Sequence, residues 1–215
     1  MINSVLFDLD GTLTDPALGI TNSVKYALNK FGITVSDTKS LYPFIGPPLV
    51  DSFMEYYGFT KENAEKALAY YREYFSCGGM FENVVYDGIE ELLKALNSKG
   101  IKLFVATSKP QEFSEKILEH FNLKSYFEKV IGATMDEKRN KKNEIIKFAL
   151  QTNDIEAYSA VMVGDRKFDI EGGKENGLKT VGVTYGYGGR EELEKASADY
   201  IAKSVNELKK ILLEI

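Results

Sequence analysis

Two aspartates two positions apart, Asp8 and Asp10, follow the apolar run Val5-Leu6-Phe7 and lead into Gly11-Thr12-Leu13. A short apolar run of this kind reads as a buried strand, and in a strand the side chains at i and i+2 share a face. Two carboxylates are therefore projected together from the end of a buried element. That placement is costly unless a cation binds there. In open α/β sheets the carboxyl ends of the strands are where ligands sit. The pattern is that of a metal-dependent enzyme with a carboxylate nucleophile. A calcium loop opening at Asp8 fails, because its sixth position would be Leu13 and its twelfth Gly19.

Three more polar groups lie at or just beyond the ends of predicted elements. Thr107-Ser108, followed by Lys109, comes after the run Leu103–Ala106. The pair Lys141-Lys142 precedes a helical segment, and Gly164-Asp165-Arg166-Lys167-Phe168-Asp169 follows the run Ala160–Val163. Other chemistries are excluded by scarcity. With one histidine, His120, and one cysteine, Cys77, neither a disulfide nor a His/Cys zinc site can be built. Cys77 has Asn83 where a cysteine phosphatase needs arginine, and there is no Walker-type glycine loop. His120 reads as a cation at a helix C-terminus. A net charge of −5 argues against a nucleic-acid polymer or an anionic membrane as partner. No apolar run approaches the roughly 18 residues of a membrane span. Together with the lone cysteine, this leads us to expect a cytoplasmic protein.

The elements that must position these groups alternate. Strands are predicted over Ser4–Leu9, Lys102–Ala106, Val130–Ile131, Ala160–Val163 and Thr180–Val183. Helical periodicity fills the intervals at Glu90–Lys99, Gln111–Phe121, Asn143–Gln151 and Asp169–Glu175, with a last helix over Val205–Leu213. The fold class is therefore α/β: a doubly wound parallel sheet with a Rossmann-like core. From Pro16 to Glu82 the pattern is helical throughout, with segments Ile20–Phe31, Pro48–Tyr57 and Lys61–Phe75. We read a discontinuous core of residues 1–15 and 83–215, and an inserted helical cap of residues 16–82, with hinges near Asp15 and Gly78-Gly79. The punctuation fits. Asp87 with Glu90 forms a capping box, Pro16 and Pro110 stand at first helical positions, and Gly32, Gly58, Gly100, Asn122 and Gly177 have the form of left-handed helix stops.

The D-x-D-G-T-L element, the threonine after the second strand, the lysine and the G-D-x-x-x-D element occur here in the order found in the haloacid dehalogenase superfamily, which nearly the whole chain resembles. Within it the chain looks most like phosphoglycolate phosphatases and 5′-nucleotidase-like members. The resemblance implies that Asp8 attacks the phosphorus to form an aspartyl-phosphate, and that Asp10 protonates the leaving oxygen and then activates water. Gly11, Thr107, the Ser108 amide and a lysine would bind the phosphate. For that lysine Lys142 is preferred to Lys141, since Lys142-Asn143-Glu144-Ile145 is similar to a known variant of the motif. A converging set of Asp8, Asp10, Asp165 and Asp169 needs a divalent cation, and magnesium suits hard carboxylate oxygens and a phosphate. By resemblance its ligands are Asp8, the Asp10 carbonyl and Asp165, with Asp169 helping from behind.

The expected activity is magnesium-dependent hydrolysis of a small phosphorylated metabolite of the phosphoglycolate or nucleoside 5′-monophosphate type. Phe44, Gly46 and Pro47 of the segment Phe44–Leu49, with Lys109, are the expected substrate contacts, and the loop Tyr185–Arg190 is a further one. Three rivals stay open at this point. A dehalogenase lacks the second aspartate, so Asp10 speaks against it. A sugar-phosphate phosphomutase shares all four elements. A non-enzymatic receiver phosphorylated on aspartate would lack the insertion and the Asp8/Asp10 pair.

Overall fold

Ser4–Phe7 form strand β1, buried along its whole length, as a central strand covered on both faces must be. The computed structural model describes residues 2–135 and 138–215. In the sheet that holds β1 the further strands, in chain order, are β2 (Lys102–Pro110), β3 (Lys129–Ala133), β4 (Ala160–Gly164), β5 (Lys179–Val183) and β6 (Tyr200–Ala202). Together they make a six-stranded parallel sheet of order β3-β2-β1-β4-β5-β6. The chain winds outward from β1 through β2 to β3, then returns to lay β4 on the other side of β1. The strand order reverses beside β1, so the ligand crevice of such a sheet opens between the carboxyl ends of β1 and β4.

The helices are α1 (Ala17–Asn29), α2 (Leu49–Tyr57), α3 (Lys61–Ser76), α4 (Ile89–Ser98), α5 (Gln111–His120), α6 (Lys142–Thr152), α7 (Lys167–Glu175), α8 (Gly189–Lys195) and α9 (Val205–Glu214). Alternation along the strands sends Leu6, Phe104, Ala106 and Met162 to one face, where they form a core cluster with Ile145, Ile146 and Ala149 of α6. On the other side Phe7 meets Phe127 edge-on, with ring centroids 6.3 Å apart. Each of the larger apolar side chains among them is worth roughly 1.5–3 kcal/mol of transfer free energy. Gly32, Gly58, Gly100, Gly177 and Asn122 all take positive φ at helix ends. Among the described residues no helix is long and apolar enough to cross a membrane.

The chain divides into two compact units, Met1–Asp15 with Val85–Ile215, and Pro16–Val84. The second break lies two residues beyond the one read from the sequence. The second unit is built from α1, α2, α3 and two 3-10 stretches, Thr38–Phe44 and Gly79–Phe81. The Phe44 ring is buried in its core against Phe53, Tyr56 and Tyr57, at centroid distances of 5.0, 5.5 and 6.0 Å. Three local expectations need correction. Asp87 does not cap α4; the N-cap is Gly88 at φ +86, and no side chain caps that end. Pro16 and Pro110 are N-cap residues rather than first helical residues, Pro110 because β2 runs straight into α5. Strand β6 and helix α8 are elements the periodicity did not reveal.

Candidate active site

Strand β1 delivers Asp8 to the crevice. The Asp8 N–H still donates to the Val163 carbonyl at 2.9 Å, so the β1–β4 ladder extends one residue past the strand and holds Asp8 alongside Gly164. The Leu9 N–H donates to Asp8 Oδ1 at 2.8 Å, locking the carboxylate back on its own backbone. From the end of β4 comes Asp165, and from the first turn of α7 comes Asp169, whose Oδ2 accepts the Arg166 N–H at 3.0 Å. Carboxylate oxygens of Asp8, Asp165 and Asp169, all buried, lie within 4.8 Å of one another.

Lys142 enters from the start of α6. Its Nζ lies 2.8 Å from Asp8 Oδ1 and 2.8 Å from Asp169 Oδ1, and donates to the Ala106 carbonyl at 3.0 Å. Lys141, by contrast, is the exposed N-cap of the same helix. A cation at a helix N-terminus opposes the helix dipole; here the two carboxylates outweigh it. Close approach of α6 to α7 makes the contact reachable. A Cβ on Gly172 would sit 3.0 Å from the Asn143 nitrogen, and Asn176 Nδ2 donates to the Asn143 carbonyl at 3.0 Å.

Asp165 is enclosed by glycines. Gly11, at φ +79, would place a Cβ 2.2 Å from Asp165 Oδ2; on Gly186 it would lie 2.4 Å from the same oxygen, and on Gly188 2.2 Å from the Asp165 carbonyl. The Tyr187 N–H donates to Asp165 Oδ2 at 2.7 Å, while Asp165 Oδ1 is buried with no hydrogen-bond partner among the described residues. Burial, with the charges of Asp169 and Asp8 added, holds the Asp165 carboxyl well above the usual range. Burial also pushes Asp169 up to about 6, although Lys142 pulls the other way. Burial disfavours the Lys142 ammonium, yet Asp169 and Asp8 outweigh it and keep its pKa raised.

These observations decide whether a cation fits. Three carboxylates converge and one ammonium pairs with two of them, a deficit of two positive charges if all three are ionised, and Asp165 Oδ1 lacks a donor among the described residues. Like charges at that spacing repel by about 3.5 kcal/mol per pair at an effective dielectric near 20. A divalent ion with hard oxygen ligands meets both requirements.

Of the other expected site residues, Asp10 pairs through Oδ2 with Lys109 Nζ at 2.7 Å. Burial raises the Asp10 pKa and Lys109 opposes the rise. Thr107 is buried next to Ala106, and its Oγ1 accepts the Lys109 N–H at 3.2 Å. Ser108 is half-buried beside it. Phe44 lies in the core of the second unit, and Gly46, at φ +107, and Pro47 follow it there. Arg166, between the two aspartates, pairs with Glu192 at 2.9 Å and is half-buried. Sequence reasoning missed the backbone of Tyr187 as the support of Asp165 and placed its loop only among substrate contacts. The signal was there in the glycines at 186 and 188. In the same loop Tyr185 donates to the Thr12 carbonyl at 3.0 Å, and the Tyr187 hydroxyl bonds Asp15.

Comparison with known proteins gives the arrangement its context. The model of the haloacid dehalogenase-like hydrolases matches residues 5–183. A 5′-nucleotidase of Pseudomonas aeruginosa is 43% identical over 209 residues, which are 97% of this chain and 95% of that protein. Tyrosine-protein kinase PtkA of Mycobacterium tuberculosis is 38% identical over 97% of this chain and 72% of its own. The crystal structure of a "predicted phosphatase from Clostridium acetobutylicum" superposes with a TM-score of 0.97 at 54% identity, covering all of both chains. With the catalogue of strand-end carboxylates, the crevice at β1 and a family match over most of its length, the chain belongs to the haloacid dehalogenase-like hydrolases.

Proposed function

We propose that the protein is a magnesium-dependent phosphatase that hydrolyses a small phosphate monoester through an aspartyl-phosphate on Asp8. The observation that carries this reading is the convergence of the carboxylates of Asp8, Asp165 and Asp169, with the Lys142 ammonium paired to Asp8 and Asp169. Asp8, the Asp10 carbonyl and Asp165 would hold Mg²⁺, with Asp169 in support. When bound, the ion supplies charge compensation for the phosphate oxygens.

The chain's own groups do the rest. Lys142 and the Leu9 N–H orient Asp8 through Oδ1, and an oriented nucleophile recovers part of the entropic barrier before reaction. Asp8 attacks phosphorus, and the leaving oxygen keeps the electron pair of the broken P–O bond. Asp10 gives that oxygen its proton, then takes one from the water that hydrolyses the aspartyl-phosphate. Thr107 and the Ser108 amide donate to phosphate oxygens, aided by the start of α5. The loop amides after Asp8 and the close backbone approach at Gly11 serve the same end.

Relatives named as a 5′-nucleotidase and as pyrophosphatases point to small phosphorylated substrates. A phosphomutase differs only in the fate of the aspartyl-phosphate. The test is a panel of glycolate phosphate, nucleoside 5′-monophosphates, pyrophosphate and sugar phosphates, assayed with magnesium and with chelator. Turnover is expected with magnesium alone and should be abolished in Asp8→Asn with the fold intact. Full turnover in Asp8→Asn, or turnover only in the presence of a sugar bisphosphate, would refute the reading.

A further inference from the structure

Lys109 and Asp10 form a buried ion pair whose geometry is set by the backbone on both sides. The lysine side chain is 6% exposed and the aspartate 11%, with Nζ to Oδ2 at 2.7 Å. Strand β2 carries an irregularity just there: Thr107 pairs with Gly132, but the next partner, Ala133, faces Pro110. Such bulges re-aim a side chain next to a site. The Lys109 N–H bonded to Thr107 Oγ1 closes the kink. Gly132 makes room for it, since a Cβ there would lie 2.6 Å from the Lys109 carbonyl and 2.5 Å from Gln111. Asp10 Oδ1, meanwhile, is buried with no hydrogen-bond partner among the described residues. One oxygen is gripped and the other left for use. A buried pair of this kind adds little net stability over apolar side chains, so stability alone is a weak reason for it.

We propose that Lys109 is a positioning residue for Asp10, holding Oδ2 so that Oδ1 meets the leaving oxygen of the substrate. The inference rests on the phosphatase reading above. In the transfer step the Asp8–phosphorus bond forms, the bond to the leaving oxygen breaks with its electrons, and the proton passes from Asp10 to that oxygen. Lys109 keeps its own protons throughout and balances the carboxylate left behind.

The experiment compares an alkyl phosphate, whose alkoxide must be protonated, with p-nitrophenyl phosphate, whose phenolate leaves without help. General acid catalysis is worth about 10²–10⁴-fold. Lys109→Met should lose on the order of 10²-fold in kcat/KM on the alkyl ester, and under tenfold on p-nitrophenyl phosphate. Asp10→Asn should show the same bias, and the double variant should be no worse than Asp10→Asn alone on the alkyl ester. Lys109→Arg, which can keep the pair, should recover most of the activity. Lys109→Gln carries the comparison should the methionine variant not fold. Equal losses on both esters, or additive losses in the double variant, would overturn the proposal. So would a loss confined to esters with a charged leaving group, which would make Lys109 a substrate contact. Turnover surviving in Asp8→Asn would sink the phosphatase reading itself; an inactive Asp8→Asn with unbiased Lys109 variants would sink only this inference.

Discussion

Replacing Lys142 by methionine keeps most of the volume of the side chain and removes an ammonium that pairs with two of the three converging carboxylates. Its Nζ makes ion pairs at 2.8 Å with Asp8 and Asp169 and a hydrogen bond at 3.0 Å with the Ala106 carbonyl, from a side chain only 4% exposed. Removing one partner of a buried pair costs about 3–5 kcal/mol. At about 2–4 °C per kcal/mol for a chain of this size, Tm should fall by roughly 6–20 °C. The loss must depend on pH. Asp169 already sits at about 6 because burial outweighs Lys142, and without the lysine its pKa rises further. A carboxyl raised in the folded state contributes stability below its unfolded pKa and loses it as pH climbs through the folded value. The deficit of Lys142→Met should therefore be small at pH 5 and full at pH 8. Magnesium at a hundredfold over its Kd returns about 2.7 kcal/mol, and more in the variant than in the parent, because the lysine no longer repels the ion. Thermal unfolding at both pH values, with chelator and with magnesium, reads all of this. A variant that melts within 2 °C of the parent at pH 8 in chelator, an effect under about 1 kcal/mol, would refute the charge argument.

Three further outcomes follow from the same cluster. Asp165→Asn removes a carboxylate whose pKa burial already forces up; in chelator at pH 8 it should be more stable than the parent by roughly 0.5–2 kcal/mol, yet show no stabilisation by magnesium in calorimetry. Gly11→Ala puts a Cβ 2.2 Å from Asp165 Oδ2 at a positive φ, so titration of magnesium should give an affinity at least about tenfold weaker with the circular dichroism spectrum unchanged. Because Asp165 and Asp169 are both raised, protons compete with the ion. The Tm gain from magnesium should shrink as pH falls from 7.5 through about 6, where Asp169 gains its proton, and a gain independent of pH would contradict the protonation argument.

Much of the core was legible because its signals are local. The run Val5-Leu6-Phe7 is apolar and short, so it could only be a buried strand, and whatever followed it had to meet the crevice. The left-handed helix ends at Gly32, Gly58, Gly100, Asn122 and Gly177 were legible for the same reason: each obeys a rule about one residue's φ. What escaped depends on partners distant in the chain. Tyr200–Ala202 is three residues long and is a strand only because β5 offers it an edge. Helix α8 has one buried residue, Leu193, and no stripe for periodicity to find. The burial of Phe44, expected from sequence to be a substrate contact, escaped because the rings of Phe53, Tyr56 and Tyr57 that cover it lie on another element. The grip of Lys109 on Asp10 depends on the slip between β2 and β3, a property of pairing that no single strand encodes.

The stereochemical course at phosphorus tests the account most directly. A phosphorothioate monoester whose transferred group is chiral through sulfur and two oxygen isotopes is hydrolysed in water of the third isotope, and the configuration of the inorganic thiophosphate is read. Two successive in-line displacements, first by Asp8 and then by water, predict retention. Inversion would mean that water attacks the substrate in a single step, and that Asp8 never carries the phosphoryl group.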